Sequence, residues 1–256
     1  MTSSAPPLVI AIDGPSGTGK SSVSRAVAQR LDLAYLDTGA MYRAVTWWCL
    51  QEGIDLEDQP AVTKAAEDLS LQMGTNPRSP SVQVSGVLID EAIRTTVISE
   101  SVSKVAVNHS VRMELCRRQR ALIAESGAGV VAEGRDITTV VAPDAKVRIL
   151  MSASQEARVR RRAKELFGET DRAAVSATYE QVVHRDRDDS TVSEFIHPAP
   201  GVTLVDTSDL DFQQSVEAVL EVVRLQSASE PGQRPPAAPV GTSARTSRPD
   251  PGQTKE

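Results

Sequence analysis

The sequence is poor in the residues that would make it a zinc protein or a disulfide scaffold. Its two cysteines, Cys49 and Cys116, form no C-x-x-C pair and read as reduced structural thiols. Its three histidines, His109, His184 and His197, fall at no metal-binding spacing, so no zinc site is expected. No apolar run approaches the roughly 20 residues that a membrane-spanning helix needs. The opening MTSSAPP has neither a basic stretch nor a long apolar segment behind it, so the chain is expected in the cytoplasm. Aromatic residues make up 3% of the 256, and Gln226 to Glu256 contain none, with no Leu or Ile and a single Val. Ordering a residue costs roughly 1–2 kcal/mol, and that stretch has nothing to bury in exchange. With six of the 15 prolines, residues 226–256 are expected to be a disordered tail, and residues 1–7 a short arm.

Excess positive charge is also lacking. The formal net charge is −6, and the tail carries four cations against three carboxylates, which leaves −7 on residues 1–225. Phosphate-backbone binding depends on clustered Lys and Arg, so general nucleic-acid and anionic-membrane binding are not expected.

Five short apolar, β-branched runs are present: LVIAID (8–13), LAYLD (33–37), GVVAE (129–133), VRILMS (147–152) and VTLVD (202–206). Near-continuous apolar strands imply burial on both faces, as in a parallel sheet between layers of helices. Helical patterns cover 20–31, 40–53, 99–125, 154–166, 172–188 and 211–225, so the class is α/β. The stretch Leu69 to Asp90 breaks this alternation, with turn signals at Gly74 to Pro77 and at Ser85-Gly86, and predicts a small antiparallel insertion. Asn108 offers a helix N-cap inside 99–125, which predicts two helices there rather than one.

The first strand is followed by Gly14-Pro15-Ser16-Gly17-Thr18-Gly19-Lys20-Ser21-Ser22, which fits G-x-x-x-x-G-K-[ST] between a strand and a helix. Residue frequencies alone produce this pattern in about one chain in a hundred of this length. In such a loop the glycines let backbone N–H groups surround a phosphate, Lys20 reaches the β- and γ-phosphates of ATP, and Ser21 Oγ can ligate Mg²⁺. A dinucleotide-binding turn is the competing reading, with Asp37 about twenty residues on. It fails because Ser22 occupies the place of the third glycine.

No N-K-x-D motif occurs, which argues against a GTPase. Arginines instead follow the strand ends: Arg43 in Asp37-Thr38-Gly39-Ala40-Met41-Tyr42-Arg43, and Arg135 in Glu133-Gly134-Arg135-Asp136. Ligands of open parallel sheets bind beyond the carboxyl ends of the strands, so both arginines belong near the loop and suggest a second, phosphate-bearing substrate. Arg158, Arg161 and Arg162 share one helical face, suited to a lid that neutralises a moving phosphoryl group, with a solvated charge run as the plainer reading. Arg185 and Asp189 lie one helical turn apart.

Taken in order, IDGPSGTGKSS, LDTGAMYR, IDEAIRT, VSKVA, VRMELCRRQR, VVAEGRDITTVV and RDRDDST resemble bacterial cytidylate kinases, over roughly residues 8–225. The resemblance implies a three-layer P-loop kinase fold with a five-stranded parallel sheet. It also implies an acceptor-binding insertion over about 38–110 and a short lid over about 154–190. It implies ATP with Mg²⁺ as phosphoryl donor, CMP or dCMP as acceptor and a monomeric enzyme. A kinase acting on UMP or AMP is the alternative. By resemblance, Arg43 and Arg135 clamp the acceptor phosphate with Thr38 nearby in the CMP site, Ser103, Arg112 and Asp136 read cytosine, and Arg185 and Asp189 hold the sugar and help the phosphate. Two positions depart from the family: Val192 replaces a usual arginine and Thr138 a usual glycine. Ser103 and Arg112 are nine residues apart and would face opposite ways on one straight helix, at about 100° per residue, so this assignment needs the break near Asn108.

Overall fold

The computed structural model describes residues 7–168, 178–179 and 197–228. Its main sheet is built from β1 (Leu8–Asp13), β2 (Ala34–Asp37), β6 (Gly129–Gly134), β7 (Val147–Ser152) and β8 (Thr203–Asp206). Each lies within a residue of an expected run. The order is β2-β6-β1-β7-β8, with every pairing parallel. The small sheet carries β3 (Leu71–Gly74), β4 (Ser81–Val84) and β5 (Val87–Leu88) in antiparallel order, as the break in alternation predicted.

The described helices are α1 (Lys20–Leu31), α2 (Thr38–Gln51), α3 (Gln59–Asp68), α4 (Thr96–Ala106), α5 (His109–Ala124), α6 (Gln155–Phe167) and α7 (Phe212–Ala228). A 3₁₀ turn at Ala92–Arg94 and a π turn at Ile137–Val141 are added to them. Side chains alternate across β1: Ile10 and Ile12 pack with Val23 and Val27 of α1 and Val216 and Val219 of α7. Ala11 faces the other way, toward Met41, Ala44 and Val45 of α2. Both faces are thus covered, which is why the strand runs show no polar alternation.

Sequence periodicity did not mark α3. Its buried face is small, only Val62, Ala65 and Ala66, but its start is signalled by Asp58, whose side chain accepts from Ala61 N at 3.1 Å. At the other end of the chain, α7 continues three residues past the expected tail boundary. Gln226 holds it there, donating to Thr203 Oγ1 at 2.7 Å and accepting from Arg148 N at 3.2 Å. The helix expected over 172–188 and the tail beyond Ala228 fall almost wholly outside the described residues.

Topology positions the site. β1 leads to β2 at one edge, whereas β6, paired beside it with Gly134 opposite Asp13, leads across to β7. Connections that depart in opposite directions from neighbouring strands leave a crevice at their carboxyl ends. The small sheet is tied to this frame by its β3–β4 turn. There Tyr35 N donates to Thr75 O at 2.8 Å, and Arg25 Nε and Gln29 Nε2 of α1 donate to Pro77 O at 2.7 and 2.8 Å.

The predicted interruption between α4 and α5 is present, and Asn108 makes it. Its Oδ1 accepts from Ser110 N and Val111 N at 3.0 and 3.2 Å, and its Nδ2 donates to Gln59 O at 2.9 Å and Thr63 Oγ1 at 3.1 Å. One buried amide therefore caps α5 and fastens it to α3. Asn108→Ala removes these bonds, and chemical denaturation is expected to show a loss of about 2 kcal/mol.

Candidate active site

Close approach shapes the loop after β1. A Cβ on Gly14 would lie 2.2 Å from the Met151 carbonyl oxygen of β7. Gly17 has φ +79°, and a Cβ there would meet Arg158 O at 2.7 Å. Thr18 Oγ1 closes the loop on itself by donating to Pro15 O at 3.1 Å. Gly19 precedes α1 at φ +83° and has no side chain to cap it, which leaves the first-turn N–H groups of α1 for an anion.

Lys20 and Ser21 both turn to a residue that sequence reasoning did not single out. Glu133, one residue before the end of β6 and 1% exposed, accepts from Lys20 Nζ at 2.5 Å, Ser21 Oγ at 2.6 Å and the Tyr35 hydroxyl at 3.2 Å. A serine hydroxyl beside a buried carboxylate is a pair of hard oxygen donors next to a phosphate cradle, which suits Mg²⁺. Its position in GVVAEGRD put an acid at a strand end, but only the strand order sets that end beside β1.

The loop opens into a cavity of ≈ 260 Å³. Its wall includes Pro15 to Ser22, Thr38, Arg43, Arg94, Arg112, Arg135, Asp136 and Arg162, together with Tyr42, Val102 and Ala106. Arg43 Nη2 donates to Asp37 Oδ2 at 2.7 Å, and Asp37 also caps α2 by accepting from Ala40 N at 2.8 Å. Burial pushes the Asp37 carboxyl up, but the charges of Arg43, Lys20 and Arg94 outweigh it and hold the group below the usual carboxylate range. Thr38 Oγ1 donates to Glu133 O at 2.8 Å, and Arg135 bonds Gly14 O.

Arg112 is ion-paired with Asp136 across the gap between α5 and β6. Burial raises the Asp136 carboxyl above its ordinary value, and the Arg112 charge opposes this only in part. Ser103 is buried on α4, next to wall residue Val102, and is not itself part of the wall.

The three arginines of α6 expected to share a face, Arg158, Arg161 and Arg162, have separate places. Arg162 lines the cavity, and Arg158 Nη1 donates to Ser16 O at 3.1 Å. Arg161 lies off the cavity, donating to Thr18 O at 3.1 Å, Thr207 Oγ1 at 3.0 Å and Leu210 O at 3.0 Å. Arg185 and Asp189 lie outside the described residues.

A family model described as cytidylate kinase matches residues 10–225. The chain belongs to the cytidylate kinase family. It is 43% identical over 226 residues to the cytidylate kinase of Streptomyces avermitilis, covering 88% of this chain and 96% of that protein. It is 48% identical over 221 residues to the cytidylate kinase of Cutibacterium acnes, covering 86% and 97%.

Thr138 has a defined role here. Asp13, at 2% exposure, accepts from Ile137 N and Thr138 N, both at 2.8 Å, and from Thr138 Oγ1 at 2.6 Å. These bonds anchor the π turn directly after Arg135 and Asp136. Burial raises the Asp13 carboxyl to about 6, with the Thr138 and Ile137 bonds pulling the other way. Because the folded value lies above the unfolded one, Asp13 contributes stability that is full below about pH 4 and lost as the pH rises through 6. The Thr138 hydroxyl limits that loss by favouring the ionised form. Thr138→Val is therefore expected to cost about 1–2 kcal/mol at pH 8 and distinctly less at pH 5, as read by denaturation at the two pH values.

Proposed function

We propose that this protein transfers the γ-phosphoryl group of ATP to CMP and dCMP, giving CDP and dCDP. The observation that carries this reading is that one cavity combines a phosphate-binding loop with the Arg112–Asp136 pair. Cytosine offers an N4 amino donor and N3 and O2 acceptors, to which a carboxylate and a guanidinium are complementary. Uracil would set its C4 carbonyl against Asp136, and that repulsion disfavours UMP. Membership of the family supports the same acceptor.

In the transfer, an oxygen of the acceptor phosphate forms the new bond to the γ-phosphorus. The bond to the β–γ bridging oxygen breaks, and its electron pair stays on ADP. The acceptor oxygen is already ionised at neutral pH, so no general base is required, and the protein's task is to hold two mutually repelling anions in line. In this reading Lys20 leaves Glu133 for the β- and γ-phosphates, Arg43 and Arg135 hold the acceptor phosphate with Thr38 beside them, and Arg162 covers the transferring group. Ser21 Oγ and Glu133 would hold Mg²⁺, which supplies neutralisation of the donor phosphates. Arg158 and Arg161 steady the loop through Ser16 and Thr18, and Arg185 and Asp189 are assigned to the sugar.

ADP formation measured with CMP, dCMP, UMP and AMP is expected to be fastest with the cytosine nucleotides, and equal rates with AMP would overturn the acceptor assignment. Lys20→Met is expected to lower kcat about a thousandfold in a coupled assay, the scale of losing one preorganised charge donor.

A further inference from the structure

Most cations around the cavity are already engaged. Lys20 is bonded to Glu133, Arg43 to Asp37, Arg112 to Asp136 and Arg135 to Gly14 O. Arg94 differs. Its side chain is exposed and lines the cavity, and among the described residues it makes no hydrogen bond or ion pair. It stands at the end of the 3₁₀ turn Ala92–Arg94, between β5 and α4. The turn is rigid at its base: Ile93 is 1% exposed, Ile93 N donates to Ile89 O at 3.0 Å, and Arg94 N donates to Glu91 O at 3.0 Å.

The surroundings of Arg94 indicate what it is for. The turn packs against α2, which carries Arg43, and against α4, which supplies the wall residues Val102 and Ala106. The charges of Arg94 and Arg43 both act on the same carboxylate, Asp37. An anion seated against Arg43 is therefore also in the field of Arg94. A guanidinium on a fixed backbone, with its donors unused, suits a phosphate monoester dianion, which accepts paired N–H bonds. The partner is the acceptor rather than the triphosphate, because the turn that carries Arg94 packs chiefly against α2 and α4.

We propose that Arg94 is a further substrate-binding residue, which bonds the phosphate of the nucleoside monophosphate from the side opposite the sheet. The assignment rests on the acceptor reading above. It makes the monophosphate a bridge between the inserted segment and Arg43 and Arg135 near the strand ends. Binding energy at Arg94 is then available only to a phosphorylated nucleoside.

Isothermal titration of CMP, of cytidine and of ATP into the full chain and its Arg94→Gln and Arg94→Lys variants tests this. Loss of one charge-assisted contact is expected to weaken CMP in Arg94→Gln by about tenfold to a hundredfold. Cytidine and ATP are expected to stay within about twofold of the wild type, and Arg94→Lys to recover part of the CMP affinity, because it keeps the charge and loses the fork. Unchanged CMP binding in Arg94→Gln would overturn the proposal. So would equal weakening of CMP and cytidine, or a larger effect on ATP than on CMP. If the wild type itself selects a different monophosphate, the cytosine reading fails. The comparison of that monophosphate with its nucleoside then decides the role of Arg94 by the same criteria.

Discussion

The buried carboxylate of Glu133 is the constraint from which the site is assembled. A charge removed from water is costly unless donors surround it. Here the donors come from α1 and β2, through Lys20, Ser21 and Tyr35. The phosphate loop and the second strand are thus drawn to the end of β6 by the need to satisfy one acid. The same device recurs along the edge: Asp13 ends β1 and takes the π turn, Asp37 ends β2 and takes Arg43, and Asp136 follows β6 and takes Arg112. A parallel sheet brings all its carboxyl ends to one side, so four acids placed there organise a whole active-site rim.

These acids also explain how a chain of net charge −6 can keep a cationic cleft. Arginines gathered at one cleft repel one another. Each carboxylate behind them offsets that repulsion and sets the direction of its partner before any ligand arrives. At Asp37 the charges of Arg43, Lys20 and Arg94 outweigh burial and hold the carboxyl below its usual range.

How much of this the sequence disclosed depended on whether the signal was local. The strands and α1 were legible because continuous apolar runs and a loop motif need no partner to be recognised. The break at Asn108 was legible because a cap is specified by the residues beside it. Glu133 and Arg94 were not, because their meaning comes from strand order and from the packing of a three-residue turn. The arginines of α6 show a further difficulty. Their helical spacing promised a shared phosphate face, yet Arg161 is occupied by carbonyl oxygens, and nothing in the string RVRRR separates it from Arg162. Thr138 was visible as a departure, but its role required knowing that a buried aspartate stood opposite.

The carbonyl-binding arginine is in fact a general joint of this protein. Arg25 fastens the tip of the small sheet, and Arg118 bonds Leu69 O, Ala66 O and Glu67 O at the end of α3. Arg120 takes Val140 O and Val141 O, and Arg148 takes Thr138 O and Pro200 O. Every residue offers a carbonyl, so the receiving side of such a joint places no demand on side-chain identity. The demand on side-chain identity therefore falls on one side of each joint only. At the exposed positions Glu67, Arg78 and Val140 a new side chain would leave the receiving carbonyl in place, whereas replacing the guanidinium that reaches it removes the bond whatever stands opposite.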